Sequence, residues 1–431
     1  MLLEFRVSNF RSIKDQQILS LLPSGRIKQG ELPFNLISDE HKDMQSALKS
    51  TIIYGGNASG KSNLLRALHA LRYLVLKSID YKLDDKIEPY EPYKLDKSSL
   101  DNPIEMEIDF IAKDNIRYIY KIVFDNKKFL HESLYFFPMR QRAKLFVREG
   151  ETGISYGDYF TKDKKNHLLP NQLLLSRAGS SPIEPLNYAY RFFSKDLISK
   201  IAHDTHYDNI LINTFSKIIA EKKDTSLLNN MLKLICIADT GICDIATFET
   251  QADQFAIPAE ISDEEKQKLI EKYKYIIKTK HKVFDKESQI GEISFDLRDE
   301  STGTIKLLAI GSLILETLQQ GGVIVIDELD KSLHPLLTRL LIKLFNSEKN
   351  NPKNAQLIFA THDVSLIDIT LFRRDQIWLV EKNSKGATEI YSLSEYTGIS
   401  KIKPLMNWYI RGRFGAIPQI NESELNLDIS S

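Results

Sequence analysis

Residues 51–71, TIIYGGNASGKSNLLRALHAL, constrain the fold more than any other stretch of the chain. Thr51 to Tyr54 form a short buried-strand candidate, a glycine-rich turn follows, and Leu64, Leu65, Leu68, Leu71 and Leu74 recur at helical spacing. Gly55, four intervening residues, then Gly60, Lys61 and Ser62 complete a phosphate-loop pattern in the strand-to-helix setting that it requires. Glycines there let backbone N–H groups turn inward around a triphosphate, with the positive end of the helix behind them. Lys61 is then expected to bridge the β- and γ-phosphates, and Ser62 to offer its hydroxyl to Mg²⁺. The competing reading is a glycine-rich turn ahead of an amphipathic helix.

A phosphate loop needs a second acid for its metal. VIVIDELDKSLHP, residues 323–335, supplies one: Asp327 ends an apolar strand, Val323 to Ile326, where it can hold Mg²⁺ through water. Glu328 beside it has a separate task available, orienting and polarising the attacking water as a general base. Without the upstream loop, the same two acids would read as a strand cap opening a polar loop.

Around these motifs the pattern predicts two strands or a hairpin in the first twenty residues and an antiparallel sheet across 104–137. Residues 161–285 are expected to be a helical insertion, with Leu269, Tyr273 and Ile276 or Ile277 on one face of a helix in DEEKQKLIEKYKYIIKTKHK. The last part returns to α/β: a strand near Ile293 to Leu297, a helix from about Gly303 to Leu318, strand 323–326, a helix over 335–345 and a strand over 356–359. The tail NESELNLDISS is polar and expected to fray. The resulting division is an N-terminal lobe over 1–160, the insertion over 161–285, and a C-terminal lobe over 286–431.

Fifty-eight basic and fifty-eight acidic residues cancel, so no global field draws the chain onto nucleic acid or an anionic membrane. The start lacks the order of a signal peptide, and no window approaches eighteen uncharged apolar residues, which predicts a cytoplasmic protein without a membrane role. Cys236 and Cys243 match neither a disulfide framework nor a zinc site and read as small core residues in a reducing compartment. Histidines 69, 131, 167, 203, 206 and 281 show no metal-ligand spacing beyond the weak pair 203 and 206, and structural roles are expected for all six. The basic runs MRQRAK (139–144) and KYKYIIKTKHK (272–282) read as solvated faces, with nucleic-acid tracks as the alternative.

With both motifs in place, the chain resembles ABC-type ATPases of the SMC and OLD-like class. DESTGTIKLLAIGSLIL (299–315) resembles the signature helix through Ser301 and Gly303, and LDKSLHP resembles the D-loop, with Asp330 three residues beyond Asp327. IFATHD (358–363) resembles the switch strand that aims His362 at the γ-phosphate, and NFRS (9–12) resembles the entry loop that brings Arg11 to the nucleotide. The resemblance implies an SMC-head-like P-loop fold with an antiparallel β layer, and ATP as the nucleotide. It also implies nucleotide contacts from Gly55, Gly56, Asn57, Ala58, Ser59, Gly60, Lys61, Ser62 and Asn63, with Ser62 and Asp327 on Mg²⁺ and with Glu328, His362 and Lys61 in hydrolysis. In such families two heads hold two ATP molecules between them, so Ser301 and Gly303 are expected to act on the nucleotide of the other head. The motifs span about residues 1–80 and 290–380.

Two departures weaken the transporter reading. Ser-Thr-Gly stands where transporter subunits have Ser-Gly-Gly, and His334 stands where many SMC heads carry an acid. The LHP form and the closing NWYIRGRFGAIP (407–418) resemble the RloA, AbiL and PARIS-like anti-phage ATPases. Arg411 and Arg413 in that closing segment read equally as a partner- or phosphate-binding loop and as a solvated turn. Gln172 is the candidate glutamine-loop residue, or an ordinary surface glutamine. The implied function is an ATPase that dimerises or assembles further and controls a separate effector of Toprim nuclease type from an adjacent gene, triggered by a phage protein or DNA. The alternatives are an SMC-like repair or chromosome-maintenance head acting on DNA, and an ATP-bound scaffold with little turnover. Short amphipathic stretches in place of sustained heptads disfavour the first, and Glu328 disfavours the second.

Overall fold

A computed structural model of the chain describes residues 1–25, 31–37, 45–150, 153–159, 168–180, 183–200, 205–222, 225–249, 262–272, 274–398 and 405–418. The chain opens on a hairpin, β1 (Leu2–Ser8) and β2 (Gln17–Ser20). It passes through a short ribbon, β3 (Leu36–Ile37) and β4 (Ala47–Leu48), into strand β5 (Ser50–Tyr54) and helix α1 (Lys61–Lys77). An antiparallel run follows: β6 (Ile104–Ile111), β7 (Arg117–Phe124), β8 (Phe129–Phe136), β9 (Ala143–Glu149) and β10 (Ile154–Tyr156). The middle holds α2 (Leu174–Arg177), α3 (Glu184–Arg191), β11 (Leu197–Lys200), α4 (Thr205–Lys222), α5 (Thr225–Ile237), β12 (Ile242–Glu249), α6 (Asp263–Lys272), β13 (Tyr275–Asp285) and β14 (Ser288–Asp296). Last come α7 (Thr302–Gln320), β15 (Val323–Ile326), α8 (Pro335–Phe345), β16 (Gln356–Ala360), β17 (Ile377–Lys382), β18 (Thr388–Ser392) and α9 (Leu405–Ile410).

These elements make a mixed α/β architecture with a separate antiparallel layer. The central sheet has six strands in the order β11-β15-β16-β5-β17-β18, parallel except for the last pair. Its middle strands β15, β16 and β5 are buried on both faces, as continuous apolar runs in a parallel sheet should be. Ile53, Val323, Val325, Ile358, Ala360 and Val380 point to one core, whereas Ile52, Ile324, Ile326, Leu357, Phe359 and Leu379 point to the other. The first core is shared with α1 and a seven-stranded antiparallel sheet, β10-β9-β8-β7-β6-β1-β2, which confirms the expected N-terminal hairpin and the 104–137 strands. The leucine stripe of α1, Leu64, Leu65, Leu68, Leu71 and Leu74, lies in this core. The second core holds α7 and α8 with buried side chains of α4 and α5. Among the described residues no helix is long and apolar enough to cross a membrane.

The expected helical character of 161–285 is corrected in three places. Strand β11 from this segment pairs in parallel with β15, so it supplies an edge of the central sheet. Strands β12 and β13 join β14 in a three-stranded antiparallel sheet. The run read as one helix through 282 ends at Lys272, and Ile277 and Thr279 are then buried between the more open Lys278 and Lys280, a period of two. Leu269 and Tyr273 fall outside the described side chains, as do the tail 421–431 and histidines 167, 203 and 206. Neither cysteine is a core residue: Cys236 is exposed and Cys243 half-buried, its thiol 3.2 Å from the Lys280 carbonyl.

Candidate nucleotide-binding site

Strand β5 ends at Tyr54, and residues 55–60 turn the chain into α1. Two glycines of the turn are required by contact and by conformation. A Cβ on Gly55 would stand 2.2 Å from the Val380 carbonyl oxygen, and one on Gly60, at φ +116°, would stand 2.1 Å from the Thr388 hydroxyl. The Lys61 ammonium folds back over the loop and donates to the carbonyls of Gly55 (2.8 Å) and Gly56 (3.2 Å). Burial lowers its pKa, and Asp327, Glu328 and Asp330 pull it back up, so the three acids converge electrostatically on the phosphate-loop lysine.

Asp327 follows β15 directly and is buried, whereas Glu328 is half-buried at φ +49°, a left-handed conformation uncommon outside glycine. The Leu329 amide returns to the Ala360 carbonyl at 3.2 Å, tying the acidic turn to the end of β16, where Thr361 is buried and His362 exposed. Asp330 Oδ1 is buried and accepts no hydrogen bond, and the same holds for Ser59 Oγ in the loop. His334 caps α8: its Nδ1 accepts from the Leu336 amide at 3.3 Å.

Ser301 caps α7, its hydroxyl accepting from the Thr304 amide at 3.1 Å. A Cβ on Gly303 would lie 3.0 Å from the Ser332 carbonyl oxygen. The signature candidate and the turn after Asp330 therefore share one surface of this chain, and Ser301, Ser332 and His334 on it are exposed.

Arg11 stands at φ +53° in the 9–12 loop. Its guanidinium grips Glu91 through Nε (2.8 Å) and a second nitrogen (3.1 Å), and reaches Asn63 Oδ1 at 3.3 Å, next to Ser62. Asn63 Nδ2 in turn donates to the Ser12 hydroxyl at 2.7 Å. Asn9 holds the loop through Nδ2 bonds to the carbonyls of Ser99 (3.0 Å) and Asn102 (2.8 Å).

The donor set fits a Mg²⁺-nucleotide. Hard oxygen ligands from a serine hydroxyl and a single carboxylate, with phosphate and water completing the shell, are the usual holding for this ion. Two buried oxygens without hydrogen-bond partners, Ser59 Oγ and Asp330 Oδ1, leave acceptor capacity at the loop and at the acidic turn.

Other expectations are redirected. The Gln172 carboxamide donates to the carbonyls of Ile79 (3.0 Å) and Tyr81 (2.8 Å) and accepts from the Leu169 amide (3.3 Å), so this buried side chain staples its loop to the segment after α1. Arg413 lies 3.9 Å over the Trp408 ring, so one of the two C-terminal arginines packs on its own helix. Along β12 to β14 three lysines are matched by neighbouring acids: Lys274 with Glu249 (3.4 Å), Lys278 with Asp296 (3.2 Å) and Lys280 with Asp244 (2.7 Å). These three pairs balance charge within the 272–282 run. His69, His131 and His281 bond to Ser199, Glu149 and Glu300 at 2.6, 3.0 and 2.8 Å.

The sequence reading missed the back wall of the site. Thr388 donates to the Ser59 carbonyl at 2.8 Å and lies 2.8 Å from the Ser12 hydroxyl, joining the phosphate loop to the entry loop. Glu381 accepts from the Ala416 amide at 2.8 Å, which seats residues 416–418 against Gly56. The signal was present: two strand-forming runs flank Asn383-Ser384-Lys385-Gly386, a turn with Gly386 at φ +74°.

A protein-family model described as "AAA domain, putative AbiEii toxin, Type IV TA system" matches residues 50–368. No curated protein matches the chain. Among solved structures it is similar to the SmcHead bound to the C-winged helix domain of ScpA, at 12% identity and a TM-score of 0.45, over 91% of this chain and 97% of that one. It is also similar to the recombination mediator protein RecF with ATPrS, at 13% identity and a TM-score of 0.35, over 90% of this chain and 98% of that one. A RecF-ATP structure gives 14% identity and a TM-score of 0.34, over 90% and 97%.

Proposed function

The chain belongs to the AAA-domain family whose model spans residues 50–368, and on that premise we propose that it binds and hydrolyses ATP as a head that pairs with a second copy. One observation carries the reading: the Lys61 ammonium on the phosphate loop and the acids Asp327, Glu328 and Asp330, far apart in sequence, act on one another electrostatically across the ends of β5 and β15, which flank β16 in the central sheet. Gly55 to Asn63 wrap the phosphates, Lys61 exchanges its two carbonyl partners for phosphate oxygens, and Arg11 approaches beside Asn63. Ser62 and Asp327 would hold Mg²⁺, which would supply positive charge against that developing on the phosphates. Glu328, next to Asp327 and in a left-handed backbone conformation, accepts the proton of the attacking water, and His362 contacts the γ-phosphate.

Ser301 and Gly303 act on the nucleotide of the partner head. The shared, exposed surface formed by the start of α7 and the turn after Asp330 supports this assignment. The output of the paired heads is control of a separate effector, of Toprim nuclease type, in defence against phage, with a phage protein or DNA as trigger. The family description, together with the LHP and NWYIRGRFGAIP segments, supports this reading over an SMC-like head acting on DNA.

The test is nucleotide binding and turnover by two variants. Glu328→Gln should bind ATP, lose hydrolysis and accumulate as a dimer or larger assembly. Lys61→Ala should lose nucleotide binding. Retained ATP affinity in Lys61→Ala, or unchanged turnover in Glu328→Gln, would remove the residue from its role.

A further inference from the structure

Away from the nucleotide site, α5, α7 and α8 enclose a groove of about 700 Å³. Six aliphatic side chains line it, Leu234 and Ile237 of α5, Leu315 and Leu318 of α7, and Leu340 and Leu344 of α8, with the uncharged polar Ser226, Asn230, Gln319 and Asn350 among them. Ile237 is 66% exposed and Leu336, one turn before Leu340, is 69% exposed. Leu336, Leu340 and Leu344 thus form an i, i+4, i+8 row that continues the groove along α8 toward the acidic turn. A contiguous exposed apolar strip of this kind marks an interaction surface.

Charge indicates what covers it. Lys233, Lys349 and Lys353 stand exposed on the rim, and among the described residues no carboxylate lines the groove. An apolar trough between helices accepts one face of a helix, and ammonium groups on its borders select carboxylates beside that face. We propose that this groove docks an amphipathic helix of a partner protein, its apolar stripe flanked by glutamate or aspartate. Docking itself does not depend on the function proposed above; its consequence does.

That consequence follows from the helices involved. The groove grips the C-terminal halves of α7 and α8, whose N-terminal ends carry Ser301 and His334 at the surface assigned to the partner head. A helix wedged between them fixes their relative position, so docking and head pairing influence each other, and by linkage the influence is reciprocal.

The experiment uses a fluorescent synthetic peptide of about 18 residues, long enough to hold a helix, with leucines at helical spacing and glutamates beside them, and a matched peptide with lysines in place of the glutamates. Anisotropy with the full chain should show binding of the glutamate peptide alone, weakening with salt. Ile237→Asp, and separately Lys233→Glu with Lys349→Glu and Lys353→Glu, should each weaken it about tenfold or more, with thermal melts unchanged. No binding of the glutamate peptide, equal binding of the lysine peptide, or indifference to both variants overturns the proposal. A change in the oligomeric state of Ile237→Asp also overturns it, by assigning the groove to a second copy of this chain. Repeating the titration on Lys61→Ala separates the two ideas, since the groove should bind there even if the ATPase reading fails.

Discussion

The main-chain amide of Asp327 donates to the carbonyl of Lys200 at 3.1 Å, so the acid assigned to the metal hangs from the last residue of β11. The Lys200 side chain, 2% exposed, pairs with Asp208 of α4. Asp208 also takes Lys306 of α7 at 3.1 and 3.3 Å. One buried carboxylate thereby joins the metal-acid strand's neighbour to the signature helix, and it faces two ammonium groups.

Replacing that carboxylate should be far worse than replacing one lysine. Asp208→Asn leaves two buried cations facing each other and is expected to cost about 3–5 kcal/mol, read as a drop in the denaturant midpoint. Lys200→Met leaves a one-to-one pair of Lys306 and Asp208 and should be close to neutral at pH 7.

The same cluster gives a pH signature. Burial is the main force on Lys200, opposed by its bond to Asp208 and reinforced by Lys306, and brings its pKa to about 8 from the ordinary value of 10.5. Between those two values the unfolded chain binds more protons than the folded one, so stability rises with pH there. Relative to Lys200→Met, the native chain should gain stability from pH 8 toward 10, measured by urea denaturation. A gap that stays constant or widens against the native chain would contradict the buried ammonium.

Action in trans predicts complementation. Lys61→Ala and Ser301→Arg should each be inactive alone, while an equal mixture should regain roughly a quarter of native turnover, since half the pairs hold one intact composite site. Phosphate release on mixing is the readout.

Gly60 is held at φ +116° against Thr388. Gly60→Ala should cost about 1–3 kcal/mol in backbone strain alone and abolish ATP binding through the displaced loop. Adding Thr388→Ala removes the collision but not the strain, so calorimetry should show stability recovered only in part.

Arg11 is aimed at Asn63 by its two bonds to Glu91. Glu91→Ala should leave the fold intact and weaken ATP affinity by about two- to fivefold, measured with a fluorescent nucleotide. Arg11→Ala should add little to that loss.

What could be read beforehand divides by the range of the interaction. Local patterns carried the glycine loop, the leucine stripe of α1, strand 323–326 and helix 335–345, because each is fixed by neighbours within a few residues. Strands β17 and β18 were passed over although only five residues separate them, and with them went Thr388 and Glu381, whose importance exists only through contact with residues more than 300 positions away, Ser59 and Ser12, or with the closing segment. Strand β13 was taken for helix because its charges dominate, and the alternation of Ile277, Thr279 and the lysines between them is the shorter signal. Lys200, Asp208 and Lys306 could not be linked at all, since nothing local tells a buried lysine from the 58 basic residues of the chain.

Strand β5, early in the chain, is inserted between β16 and β17, which are made some 300 residues later. A nascent chain emerging from the ribosome can therefore build the antiparallel layer from its own first part, while the phosphate-loop strand waits without either sheet neighbour. On the proposed reading, competence to take up nucleotide arrives late, once synthesis has passed Thr388 and the closing segment to Pro418, so a truncated translation product would be a silent protein and not a half-active one.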